Sequence, residues 1–354
     1  MPTMTPTKPA KSALSKRSFD SFAIFKDPEY ITGIQGLGTL QPLVDEREDI
    51  AYLAVKEESW KTCKWTATEK DFEEGTVLFN HTHFFSGKIK ERMHCFIAPR
   101  LQIIHTSEIL VVDDSIKNDK TGKSKNIIVG DYSMPHIVEA FEADKKDSAD
   151  NNTPRRFSTR VKYLVNVLTK NNTPAHEVPI VLTVKGLVSV DLSEHVQDFY
   201  TKMEKCLSTA LGMDAGVKFD NRVKSICVFI PELNAEVKGH YKNTVCSVKS
   251  VRLPDYSDQE AAKASMLELT IPDEARGTTW AQLQDEYLGD YINRHSRQEA
   301  ARLEAELGVD TLGSNAYGIA DGVPALMPQG NAAALPASER VIGERDKDTG
   351  EIQF

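Results

Sequence analysis

The chain has 354 residues, is 40% hydrophobic and 27% charged, and carries a formal net charge of −9. That length allows one large domain or two modest ones, and no apolar run approaches the ~20 residues of a membrane-spanning helix. No secretory leader is expected behind the N-terminal lysines, and five scattered cysteines without a Cys-x-x-Cys pair read as reduced thiols of a cytoplasmic protein.

Residues 1–30 are rich in Thr, Pro, Lys and Ser, offer little to bury, and read as a disordered basic arm. A β-rich subdomain is expected over 31–145. It opens with runs at 37–44 and 50–55, broken by the charged turn Asp45-Glu46-Arg47-Glu48-Asp49. Runs at 76–85 and 93–97 flank Ser86-Gly87-Lys88, a hairpin signal. Short strands at 101–104 and 109–112, a polar turn over 113–124 and a strand at 126–129 follow. A short helix begins near Pro135, with Ile137, Val138 and Phe141 on one side. Residues 142–156 are charged and read as a long loop or as a boundary between two β subdomains.

The second β-rich subdomain is expected over 155–272, with an inserted helix. Its strands are the β-branched runs 161–168 and 178–184 and a predicted pair at 223–230 and 244–251. The helix is expected to be capped by Ser193, to carry Val196, Phe199, Tyr200, Met203, Leu207, Ala210 and Leu211 at helical spacing, and to stop at Gly212. A helical segment covers 273–308, with one helix predicted from about Thr279 to Leu307. Residues 309–354 read as a disordered acidic tail. The class is β-dominated α+β: antiparallel sheets, or a partly open barrel, with two or three packed helices.

Chemical motifs are scarce. The chain lacks a dinucleotide or P-loop glycine pattern, a Gly-x-Ser-x-Gly elbow and a His-Glu-x-x-His pair. Asp119-Lys120-Thr121-Gly122 matches the start of a P-type ATPase phosphorylation motif but sits in a predicted hairpin loop. Asp346-x-Asp348-x-Gly350-Glu351 lacks the spacing of a calcium loop. His81, His83 and His94, with Cys95 and His105 nearby, form the densest metal-like group. His81 and His83 share a strand face by their period-two spacing, and a hairpin would bring His94 near. The alternative is a solvated or hydrogen-bonded histidine face. No other cofactor is implied.

Charge is divided along the chain. Residues 255–354 hold 8 Lys+Arg against 19 Asp+Glu, leaving the preceding part near neutral. Within that part, 154–175 carries Arg155, Arg156, Arg160, Lys162 and Lys170 with Phe157 and Tyr163 among them. Residues 216–252 carry Lys238 and Lys242 among further cations, interleaved with Phe219, Phe229 and Tyr241. Cations that track phosphates beside aromatic rings that stack bases are what single-strand binders need. The alternative is a solvated strand face with its aromatics turned inward. The final Glu351-Ile352-Gln353-Phe354 resembles the acidic, Phe-ending tip of bacterial single-stranded-DNA-binding proteins, which marks Ile352 and Phe354 as candidate partner contacts.

A wider resemblance rests on Ala98-Pro99-Arg100-Leu101, Asp114–Gly122, the run from Phe157 to Val165, the run from Pro179 to Gly186, and Cys227-Val228-Phe229-Ile230-Pro231. Over about 35–255 the chain is similar to a functionally uncharacterised family from cyanobacteria and mobile elements. That resemblance implies a β-rich accessory protein and supplies no catalytic residue. The expectation is therefore a non-enzymatic, cytoplasmic binding protein that contacts single-stranded nucleic acid through Arg155, Arg156, Arg160, Lys162, Lys238, Tyr241 and Lys242, in replication, recombination or a mobile element. The alternative is a scaffold that recruits a protein partner through its C-terminal helix or tail. A metal-dependent enzyme comes third.

Overall fold

Runs of Val, Ile and Leu bounded by Gly, Asn and charged turns build ten strands of this chain into one mixed sheet. The computed structural model describes residues 37–85, 90–117, 124–213, 216–238 and 242–293. The basic arm, the acidic tail, Tyr241, Ile352 and Phe354 lie outside the described residues.

Strands β1 (Thr39–Asp45) and β2 (Ile50–Lys56) form an antiparallel pair around the charged turn. Helix α1 (Glu57–Thr62) leads to β3 (Val77–Phe84), β4 (Lys90–Phe96), β5 (Arg100–Thr106), β6 (Leu110–Asp113) and β7 (Ile127–Asp131). Helix α2 (Pro135–Asn151), β8 (Phe157–Leu168), β9 (Ile180–Lys185) and α3 (Leu187–Ala210) come next. Then follow α4 (Asn221–Ile226), β10 (Val228–Phe229), β11 (Pro231–Lys238), β12 (Asn243–Val251), α5 (Gln259–Glu268), α6 (Asp273–Gln284) and α7 (Glu286–Asn293).

The strand order is β10-β5-β8-β9-β1-β2-β4-β3, with β6 also on β8 and β7 on β6. Among the described residues every strand pairing is antiparallel except β9 with β1. The ten strands stay open rather than closing into a barrel. The twelve-residue β8 organises them: its first residues pair with β6, its last with β5, and its other edge with β9. The sheet thus joins strands from both sides of the charged 142–156 stretch.

Strand alternation gives the sheet two faces. On the first, Leu53, Val161, Tyr163, Val165 and Leu182 meet Leu192, Val196, Phe199 and Met203 of α3. The β11–β12 hairpin packs on this face through Leu233, Cys246 and Val248. Phe199 meets Phe229 edge-on at 5.5 Å. Each such fully buried side chain contributes about 1.5–3 kcal/mol. On the second face, Ile104, Leu164 and Val181 receive Leu288 and Ile292 of α7, while Tyr52, Ala54, Met93 and Cys95 form a separate cluster. Helix α2 covers the β6–β7 branch with Ile137, Ala140 and Phe141.

Several elements depart from the sequence expectation. Residues 223–230 do not form a strand that pairs with 244–251. Asp220 accepts from the Val223 amide at 2.9 Å and caps α4, so the partner of β12 is β11 instead. Most of the 142–156 stretch is the second half of α2, which ends at left-handed Asn152. Helix α3 starts six residues before Ser193, whose hydroxyl instead bonds Tyr163 at 2.6 Å. The predicted stop is correct: Gly212 has φ +63. The long C-terminal helix breaks at Asp285 into α6 and α7. Both dock on the chain's own sheet: Gln102 donates to Thr279 of α6 at 2.8 Å and Asn166 to Gln282 of α6 at 3.0 Å, and α7 packs Leu288 and Ile292 on Ile104, Leu164 and Val181. No described helix is long and apolar enough to cross a membrane.

Candidate nucleic-acid interface

The alternation of β8 decides where its cations go. Val161, Tyr163 and Val165 enter the first core, so Arg160 and Lys162 emerge on the second face. Register then places Lys185 of β9 directly opposite Arg160, and Thr183 opposite Lys162. Three cations therefore share one patch of two adjacent strands. Like charges placed directly opposite across a sheet destabilise it. Asp114, just beyond β6, relieves part of this: Lys185 Nζ lies 2.7 Å from its carboxylate and an Arg160 nitrogen 3.6 Å away. Burial pushes the Asp114 carboxyl up, but the Lys185 hydrogen bond and the charges of Lys185 and Arg160 outweigh it and hold it below its usual range. Arg160 also donates to Asn126 at 2.6 Å.

Lys162 stands apart from these two. Its amine is held below the usual lysine range, first by burial and then by Arg160, and no carboxylate offsets either effect. Among the described residues it has no ion pair.

Of the remaining predicted contacts, Tyr241 lies outside the described residues, and Arg155, Arg156 and Lys238 make contacts of their own. Arg156 grips buried Asp113 through Nε at 3.1 Å and a terminal nitrogen at 3.0 Å, and the Arg155 guanidinium lies 6.0 Å from the Phe141 ring. Lys238 belongs to the hairpin on the first face, where it donates to Ser247 at 2.7 Å and lies 3.3 Å from Asp191 and 3.0 Å from Glu236. Lys242 is exposed at the hairpin turn with φ +51. The aromatics interleaved in sequence do not offer stacking platforms: Phe157, Tyr163, Phe219 and Phe229 are all buried. Sequence reading missed Lys185 and Asp114. Lys185 had a signal, since it ends the β-branched run that pairs with β8.

The histidines divide between the two faces. A bulge at Asn80, φ +55, turns His81 and His83 together onto the second face, as their spacing predicts. There Tyr52 Oη lies 2.6 Å from His83 Nδ1, and Asp45 lies 3.7 Å from His81 and 4.0 Å from His83. Burial lowers the His83 value against the pull of Asp45, and burial also raises that of Tyr52. His94 points the other way, stacked between Trp60 at 3.9 Å and Phe79 at 3.7 Å. Burial lowers it to about 4, so it is a neutral core ring. The hairpin therefore does not bring His94 to the other two, because neighbouring residues of β4 face opposite sides. Among the described residues, no group of three or more His, Cys, Asp or Glu side chains is placed to hold a metal ion.

Residues 36–260 match the family described as Domain of unknown function (DUF5895), and with more than half of its length matched the chain belongs to that family. No curated protein and no solved structure matches it.

Proposed function

We propose that this member of the family is a non-enzymatic binding protein that contacts the phosphate backbone of nucleic acid through Arg160, Lys162 and Lys185. One observation carries the reading. Arg160 and Lys185 are held opposite each other with a desolvated Lys162 alongside, and Asp114 is the carboxylate that pairs with the group. Such an arrangement opposes folding, and a polyanion laid across the strands would relieve it. Phosphate contacts position a strand without reading its sequence. With Phe157, Tyr163, Phe219 and Phe229 buried, the patch supplies charge and not base stacking.

Fluorescence anisotropy of labelled single-stranded and duplex oligonucleotides against the full chain tests this. Three phosphate contacts give a slope of log affinity against log salt of about −2 for a single strand. Arg160→Glu with Lys162→Glu should abolish binding at low salt. Unchanged affinity in that variant, or no binding by the wild type at low salt, overturns the reading.

A further inference from the structure

Pro42 interrupts the sheet at its middle. The Val181 amide donates to the Gly38 carbonyl at 2.9 Å, so the even-numbered residues of β1 turn their backbone groups toward β9. Extending this parallel ladder would require an N–H from Pro42, and proline has none. Pairing accordingly stops at Thr39↔Val181 and Leu40↔Leu182, although β1 continues to Asp45 and β9 to Lys185. Beyond that point a cleft of about 460 Å³ has in its lining Gln41 and Val44 of β1, Glu46 just after it, Thr183 and Lys185 of β9, Val188 of α3 and Val245 of β12. That volume falls in the range of small-ligand sites. It also lies where the carboxyl ends of parallel strands part, a place where open sheets bind ligands.

Two features point to what fills it. Gln41 lines the cleft, yet its Nε2 is buried without an acceptor. A buried donor without a partner opposes folding unless a ligand or water meets it. In addition, Gln41 lies opposite Ala54 and Thr183 opposite Lys162, which puts both on the second face beside the cations, while Val44, Val188 and Val245 line the gap between the strands from the first face. Lys185 is common to both sites: it lines the cleft and carries its ammonium to Asp114. A strand whose phosphates lie on Arg160, Lys162 and Lys185 would thus run past a slot with a polar rim and apolar walls.

We infer that the β1/β9 cleft receives one unstacked base of the bound nucleic acid. The Gln41 amide and the Thr183 hydroxyl meet the polar edge of the base, and Val44, Val188 and Val245 meet its faces. A carboxamide suits this role, because it presents a donor and an acceptor side by side to a base edge. Proteins that read single strands commonly splay a base out in this way. The inference rests on the phosphate-contact reading above and adds to it a preference for bases.

The test compares oligonucleotides of about twelve residues, within the site size of single-strand binders, with abasic oligomers of the same length and charge. The full chain should hold the base-bearing strand about tenfold more tightly, a difference of about 1.4 kcal/mol. Gln41→Ala with Thr183→Val should bring that ratio close to one. Gln41→Glu, which removes the donor and keeps the shape, should reorder affinity among homopolymers toward cytosine, whose exocyclic amine a carboxylate accepts. Thermal melts of both variants exclude misfolding. Equal binding of base-bearing and abasic strands by the wild type overturns the inference and leaves the phosphate reading standing, as does a ratio that survives in both variants. Failure of every oligonucleotide to bind overturns both.

Discussion

Replacing Lys162 with Met should stabilise the protein while weakening its hold on nucleic acid. Methionine keeps the length of the stem and removes the charge. Arg160 lies two residues along the same face of β8, roughly 7 Å away by strand geometry. Two unit charges at that distance repel by about 0.6 kcal/mol in a water-like medium and by about 2 kcal/mol at the effective dielectric of a protein surface. Burial of the Lys162 amine acts in the same direction. A gain of about 1 kcal/mol follows, which raises the melting temperature by about 2–4 °C in a domain of this size.

Thermal melts at low salt and at about 1 M salt separate the causes, because a Debye length of about 3 Å at high salt removes most of the repulsion between partly exposed charges. The pH dependence has a definite sign. The folded amine releases its proton below the ordinary lysine value of 10.5, whereas the unfolded chain still holds it. Wild-type stability therefore rises as pH climbs toward 10.5, and the advantage of Lys162→Met fades over that interval. A variant less stable than the wild type at low salt, or one that keeps full affinity for oligonucleotides, refutes the reasoning.

Other residues give equally definite outcomes. His94 is neutral in its stack down to about pH 4, while an unfolded histidine takes a proton near 6.5. Stability should therefore fall by on the order of 3 kcal/mol between those values, and His94→Phe should flatten that part of an acid titration followed by chemical denaturation. Asp191 ties the start of α3 to β12, accepting from the Val248 amide at 2.8 Å and from Ser247 at 3.0 Å beside Lys238. Asp191→Ala should cost about 3 kcal/mol in urea unfolding, and a double-mutant cycle with Lys238→Met should reveal coupling between the two. A Cβ on Gly130 would come within 2.6 Å of Ile137, so Gly130→Ala should destabilise the protein by about 1–3 kcal/mol, and adding Ile137→Val should recover part of that loss in the same assay.

Local signals made the strands readable. β-branched runs with period-two alternation placed β1, β2, β9 and β12 close to their observed limits, as well as β8 beyond its first four residues, which lie before the β-branched run, and Gly212 marked the turn that ends α3. Capping was readable only where nothing competed for the side chain. Ser193 looks like an N-cap until Tyr163 takes its hydroxyl, and Asp220 caps a helix inside what reads as a strand. The stretch 142–156 looked like a loop because helix propensity alone does not show that Ile137 and Phe141 will anchor α2 to β7 and β8.

The candidate site divides along the same line. By itself the sequence determined that Arg160 and Lys162 share a strand face, as do His81 and His83, because alternation is a property of one strand. Which faces meet is a property of pairing between distant segments. Only the tertiary structure set Lys185 opposite Arg160, brought Asp114 to both, and sent His94 and Lys238 to the other side of the sheet. Pro42 joins the two levels: its missing N–H is written in the sequence, but that absence opens a cleft only because β9 is the strand that lies beside it.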